Sequence, residues 1–287
     1  MPEFRTRNME EMIQDFEHFV RENLVAPAAP IPIMPSKIDM SDINRDGELL
    51  AIGLGDHDLM PVYVDLTATP VIMIAGDAMS GKSTQLVSWI SMLNEKLGSD
   101  RLDVYALDSS SMGIYELMKL PCVTDLSQIE DMYDFIDAMK QELDDRRARF
   151  LATRQANGDL NALVRSWKQI IFVIDNLSEL TNGDQYSLKE LIERIAKQER
   201  NMKVAVMAAD QTSELANNWD SLGKVLREEQ TGLLLGSIKD QDLFNIRFPY
   251  GSQEKEMELG DGYFIVKNKF TGLRTATFLH QNEKVMI

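Results

Sequence analysis

Residues 70–86 read PVIMIAGDAMSGKSTQL, and no other stretch restricts the fold of this chain as strongly. An apolar run meets the octet Gly76-Asp77-Ala78-Met79-Ser80-Gly81-Lys82-Ser83, and a helix-periodic segment begins at Thr84. The octet is a complete G-x-x-x-x-G-K-[ST], and strand before with helix after is the context in which that pattern holds phosphate. Glycines 76 and 81 let the backbone wrap so that successive amides point inward. The helix start near Gly81 offers its positive end to an anion. Lys82 adds a mobile charge for the outer phosphates, the Ser83 hydroxyl is a magnesium ligand, and Thr84 can donate to an outer phosphate. Average composition gives about 0.01 chance matches in a chain this long. The bland alternative is a glycine turn that kept its shape and lost its ligand.

A loop of this kind needs an acidic partner, and IIFVID (170–175) supplies one. Its five apolar residues lead to Asp175 at the carboxyl edge of a sheet, where the carboxylate holds Mg²⁺ directly or through water. From Lys82 to Asp175 there are 93 residues, room for one more strand and helix. LDVYALD (102–108) and a helix over 127–153, opened by a Ser127/Glu130 capping box, fill it. The pattern predicts an α/β fold of the RecA-like (ASCE) P-loop NTPase type, its sheet mostly parallel with helices on both faces. In motors of this layout an extra strand lies between the two phosphate-site strands. The expected ligands are ATP and Mg²⁺, the first cradled by residues 76–84, the second held by Ser83 and Asp175.

The next position weakens the motor reading. A glutamate usually follows the metal-binding Asp and takes the proton of the attacking water. Here the residue is Asn176, whose amide orients a water but accepts no proton from it. Nucleotide binding with slow hydrolysis is expected unless a partner supplies a carboxylate. Glu179, Glu190 and Glu193 are nearby in sequence. Gln211, closing the strand KVAVMAA (203–209), is the candidate γ-phosphate sensor, against a plain strand-end cap. The catalytic set is thus Lys82, Asp175, Asn176 and Gln211.

Other segments frame this centre. Residues 8–25 have the periodicity of an amphipathic helix, and APAAPIPIMP after them reads as an extended linker. A lead-in over 1–36 and an ATPase domain over 37–287 follow from that break. Residues 1–7 read poorly as structure. Further strands are expected at 49–54, 61–66, 231–236 and 262–266, and helices at 84–97 and 187–199. Between 146 and 168, Arg146, Arg147, Arg149, Arg154, Arg165 and Lys168 face only Asp159. One of these arginines is a candidate trans finger for a neighbouring subunit; the alternative is a solvated helix end.

Composition removes several classes. The net charge of −16 disfavours a surface that neutralises nucleic-acid phosphates. A single cysteine, Cys122, excludes an internal disulfide and a Cys-based zinc site. No apolar run of 18 residues occurs, so a soluble, cytoplasmic segment is expected.

Several stretches resemble the FtsK/SpoIIIE class of motors, above all the ATPase modules of the type VII secretion membrane protein (the EssC/YukB/EccC family). They are PIPIMPSKI with IGLGDHDLMPVYVDL, then YALDSSSMGIYELMKLPCV (105–123), ELDDRRARF (142–150) and 231–266 with its Leu-Gly-x-Gly turn. The DNA-translocase branch usually carries Asp-Pro-Lys where this chain has Asp108-Ser109-Ser110. The resemblance implies one module of a membrane-anchored, multi-ATPase chain on the cytoplasmic side of the bacterial membrane. It implies neighbouring ATPase modules or subunits as partners, a hexameric ring, and small helical WXG100-type proteins as cargo. Asn176 resembles the degenerate downstream modules, the last one especially.

Two other functions stay open at this level. One is a DNA-pumping ATPase, which the charge and the missing Asp-Pro-Lys disfavour. The other is a non-catalytic recognition domain whose seventeen methionines form an adaptable docking surface rather than core filler.

Overall fold

A computed structural model describes residues 9–23, 33–44, 49–239, 241–246 and 253–278. The expectations for residues 1–7 and for the linker around Pro27, Pro30 and Pro32 lie outside the described residues. By its internal contacts the chain divides into two units, Met1–Ile33 and Met34–Ile287. The first contains helix α1 (Met9–Asn23), where the periodicity predicts it. Its Met9, Met12, Ile13, Phe16 and Phe19 are exposed.

The second unit opens with a short helix α2 (Met40–Ile43) and strands β1 (Leu50–Gly55), β2 (Pro61–Val64) and β3 (Val71–Gly76). Helix α3 (Lys82–Leu97), β4 (Leu102–Leu107), β5 (Val123–Asp125), α4 (Met132–Gln155), α5 (Leu160–Ser166) and β6 (Gln169–Asp175) come next. The chain continues through α6 (Leu177–Asn182), α7 (Tyr186–Gln198), β7 (Val204–Asp210), α8 (Thr212–Asn217) and α9 (Ser221–Glu228). Strands β8 (Thr231–Leu235), β9 (Asp261–Val266) and β10 (Lys269–Thr275) end it.

All ten strands join one sheet in the order β2-β1-β10-β9-β8-β3-β7-β6-β4-β5. From β8 to β5 each neighbouring pair is parallel. From β8 to β2 each pair is antiparallel. The parallel strands β3, β6 and β7 are buried on both faces, which explains their unbroken apolar runs. Alternate residues serve opposite cores. Val71, Met73 and Ala75 pack with Leu143 of α4, Leu191 of α7 and Leu222 of α9. Ile72 and Ile74 pack with Leu86, Trp89 and Ile90 of α3. Helices therefore cover both faces, as expected, and most of the methionines that the structure buries, including Met73, Met139 and Met207, are core filler.

An extra strand lies between the two phosphate-site strands, as expected: it is β7, which follows both in sequence, whereas β4 lies on the outer side of β6. Spacing along the chain constrains connectivity, not which strands become neighbours. The capping box at Ser127 and Glu130 does not form. Ser127 sits in a single 3₁₀ turn capped by Asp125, and α4 starts later, with Asp131 accepting from the amides of Tyr133 and Asp134. Asp is as good an N-cap as Ser, so local chemistry alone did not choose between them.

Candidate functional site

The site grows from the turn between β3 and α3. Met79 at φ 63° and Gly81 at φ 99° adopt left-handed backbone, the kind of turn from which anion-binding loops are built. A non-glycine residue there stores about 1–3 kcal/mol of strain. The Met79 side chain escapes into solvent. Gly76 is required by close approach: a Cβ would stand 2.4 Å from Ser80 Oγ and 2.8 Å from the Leu235 carbonyl. Gly81 caps α3 without a side-chain bond, so no side-chain cap competes for the first amides of the helix. Ser80 Oγ is buried with no hydrogen-bond partner among the described residues. A tight glycine turn at a helix start, with an unpaired buried hydroxyl, fits a phosphate chain.

Lys82 closes the cradle on itself. Its Nζ donates to the carbonyls of Gly76 (3.1 Å) and Asp77 (2.7 Å). Burial lowers the pKa of this ammonium, against the opposing pull of Asp210, Asp175 and Asp77. Ser83 Oγ donates to Asp175 Oδ1 at 2.9 Å, so the two residues expected to share Mg²⁺ meet. Ser83 and Asp175 are both hard oxygen donors suited to that ion. Asp175 is buried at the end of β6, in register with Ala209 of β7, while Asp210 of β7 aligns with Ala75 of β3. The sheet thus brings Gly76, Asp210 and Asp175 to one edge.

A second wall was not legible as such. The loop from Asp108 to Ile114 lies against the Ser83–Asp175 pair. Ser109 Oγ donates to Asp175 Oδ2 at 3.0 Å. A Cβ on Gly113 would stand 2.6 Å from Asp175 Oδ2 and 2.8 Å from Ser83 Oγ. The Ile114 amide donates to Asp108 Oδ1, closing the loop. We therefore expect Gly113→Ala to reduce the Mg²⁺-dependent part of ATP affinity by about 10-fold, the scale of outer-shell changes at metal sites. Titrations with and without Mg²⁺ measure that part directly.

Asn176 stands at φ 69°, a backbone state that asparagine tolerates well, and is the N-cap of α6. Its Oδ1 accepts from the Glu179 amide, and its Nδ2 donates to Glu179 Oε1 at 2.9 Å. Of the three nearby glutamates only Glu179 reaches this edge. Glu190 pairs with Lys140, and Glu193 with Lys197 and Ser221. Gln211 is exposed at the start of α8, and its amide donates to Asp210 Oδ1. It shares a cleft of about 580 Å³ with Asn176, Glu179, Asp210 and Glu214. Asp210 is the residue that sequence reasoning overlooked, although VAVMAAD ends as IIFVID does. Its Oδ2 accepts from the Ser178 amide, tying β7 to the turn after Asp175.

The basic run disperses. Arg146 is buried, where its Nε donates to Glu142 (2.7 Å) and its Nη1 to the carbonyls of Met202 (2.8 Å) and Lys168 (3.1 Å). Arg147 pairs with Glu199 and Lys168 with Asp103. Asp159 is therefore not their counter-charge; Glu142, one helical turn from Arg146, and Glu199 and Asp103, distant in sequence, are.

Residues 41–164 match the FtsK/SpoIIIE family. The ESX secretion system protein EccC of Geobacillus thermodenitrificans (strain NG80-2) is 24% identical over 269 residues, covering 92% of this chain. The ESX secretion system protein YukB of Bacillus subtilis (strain 168) is 25% identical over 249 residues, covering 84%. The chain carries an FtsK/SpoIIIE domain homologous to these secretion ATPases. It spans 17% and 16% of the length of those two proteins. Among solved structures, the cytoplasmic domain of EssC superposes with a TM-score of 0.72 at 20% identity, over 96% of this chain and 55% of that one. At that identity the likeness establishes the P-loop ATPase fold. The match at 41–164 includes the phosphate loop and the Asp108–Ile114 wall of the FtsK/SpoIIIE domain, while Asp175 lies beyond it.

Proposed function

We propose that this chain is an ATP-binding module of a bacterial type VII secretion ATPase, with intrinsically slow hydrolysis. The observation that carries the reading is the bond from Ser83 Oγ to Asp175 Oδ1, beside the glycine turn on which Lys82 folds back. Gly76 to Thr84 would hold the phosphates. Ser83 and Asp175 would hold Mg²⁺, which would neutralise charge on the β- and γ-phosphates. Slow turnover follows from Asn176, which is occupied in capping α6 and carries no carboxylate. Gln211, in the adjoining cleft, is the proposed sensor of the outer phosphate.

The names of the relatives support a place in protein secretion, and the acidic balance, −16, supports protein rather than DNA as cargo. The cargo this reading implies is a small helical WXG100-type protein. Neighbouring ATPase modules, a hexameric ring and attachment to the cytoplasmic face of the membrane through other parts of a longer protein complete it. No helix among the described residues is long and apolar enough to cross a membrane. Calorimetric titration with Mg·ATP tests the binding half: we expect saturable binding at one site. Single-turnover hydrolysis tests the other half, and a rate at or above about 1 s⁻¹, within the ordinary enzyme range, defeats the slow-hydrolysis reading. Salt-sensitive binding to duplex DNA would transfer the module to the translocase branch.

A further inference from the structure

We propose that Glu179, one helical turn beyond the usual position, supplies the carboxylate that activates water in this site. The inference rests on the ATP-binding reading above. Asn176 occupies the place of the expected glutamate, and its Nδ2 lies 2.9 Å from Glu179 Oε1. The Glu179 carboxylate therefore sits at the tip of residue 176, about where a glutamate there would carry its own. Helix α6 explains the exchange. With Asn176 as N-cap, Glu179 is the third helical residue, and its side chain folds back to accept from the side-chain amide of the cap.

A second contact aims the carboxylate at the metal-binding pair. Glu179 Oε2 accepts from the Ser110 amide at 2.9 Å, and Oε1 accepts from Ser110 Oγ at 2.8 Å. Ser110 adjoins Ser109, which holds Asp175 Oδ2. The carboxylate is thus fastened from the side of α6 and from the loop that touches Ser83 and Asp175. A carboxylate has about four acceptor positions, and these three donors leave one for a water. The cleft with Asn176 and Gln211 gives that water access. In the reaction, Glu179 accepts a proton as the water oxygen bonds to the γ-phosphorus. The bond from that phosphorus to the β,γ-bridging oxygen breaks, and its electron pair leaves with ADP. The proton then passes to solvent. A carboxylate borne by the helix, and shared with a loop serine, is harder to align than one on the strand end, which accords with slow turnover.

Glu179→Gln keeps the acceptor oxygen and the exposure of the site, and Glu179→Asp keeps the charge on a shorter arm. ATPγS affinity, affinity for ADP with aluminium fluoride, and single-turnover hydrolysis are measured for both and for the parent. We expect Glu179→Gln to bind ATPγS within about 2-fold of the parent while hydrolysis falls about 100-fold, the range of general-base removal. The affinity for ADP with aluminium fluoride should fall at least about 10-fold, with Glu179→Asp between the two. Hydrolysis and fluoride-complex affinity unchanged in Glu179→Gln would overturn the assignment. So would a parent that binds ATPγS yet hydrolyses no ATP, and in that case the binding reading survives. A parent that binds no nucleotide defeats the binding reading itself, and this inference with it.

Discussion

Lys82→Ala is expected to weaken ATP binding at least 100-fold while leaving the fold intact. The ammonium would exchange its two loop carbonyls, Gly76 and Asp77, for phosphate oxygens, and its bonds to those are charge-assisted. Such bonds contribute about 1.5–3 kcal/mol each, and about 3 kcal/mol corresponds to about 100-fold in affinity. Stability should move by no more than about 0.5 kcal/mol. The sign follows from the direction of its pKa. Burial lowers it, so the folded state disfavours the charged form, and this offsets the two carbonyl hydrogen bonds that truncation removes. Titration calorimetry at fixed ionic strength measures the affinity, and thermal unfolding controls for the fold. A dissociation constant within 3-fold of the parent would mean that the loop holds its ligand by other means, or holds none.

The second large effect falls on stability. Arg146→Ala should cost about 3 kcal/mol, whereas Arg149→Ala and Arg154→Ala should each stay within about 0.5 kcal/mol. Arg146 is 4% exposed and joins three elements: Glu142 on its own helix and the carbonyls before β6 and β7. Its guanidinium also lies over the Trp167 ring, 5.5 Å from the centroid. Truncation leaves the buried carbonyl of Met202 without that donor, and a buried unsatisfied acceptor costs about 1–3 kcal/mol by itself. Arg149 and Arg154 are exposed. Chemical denaturation of the three variants tests the ranking. Equal, small losses would show that the Arg146 network is incidental and would return it to the candidates for a trans finger.

These two residues mark the boundary of what sequence reading reaches. Lys82 was assigned from an eight-residue pattern because the phosphate loop is local: its glycines, amides and helix start are contiguous in the chain. The role of Arg146 is not legible because two of its partners are carbonyls just before β6 and β7, and no local pattern announces a carbonyl 56 residues away. The same division runs through the site. Asp175 was legible as the polar end of a buried strand, and Asp210 carries the same signal but was passed over. Ser109, Ser110 and Gly113 belong to a stretch noted only for its resemblance to relatives. Their contact with Asp175, Ser83 and Glu179 depends on β4 packing beside β6.

The sequence by itself determined the chemistry of the loop, the parallel strands behind it and the helices that cover them. Periodicity and turn residues act over a few positions, and those elements are built from such short-range preferences. Only the tertiary structure decided which strand separates Gly76 from Asp175, which wall closes over Ser83, and which glutamate stands beside Asn176. Those choices follow from burying both faces of one sheet at once, a condition that couples residues far apart in the chain.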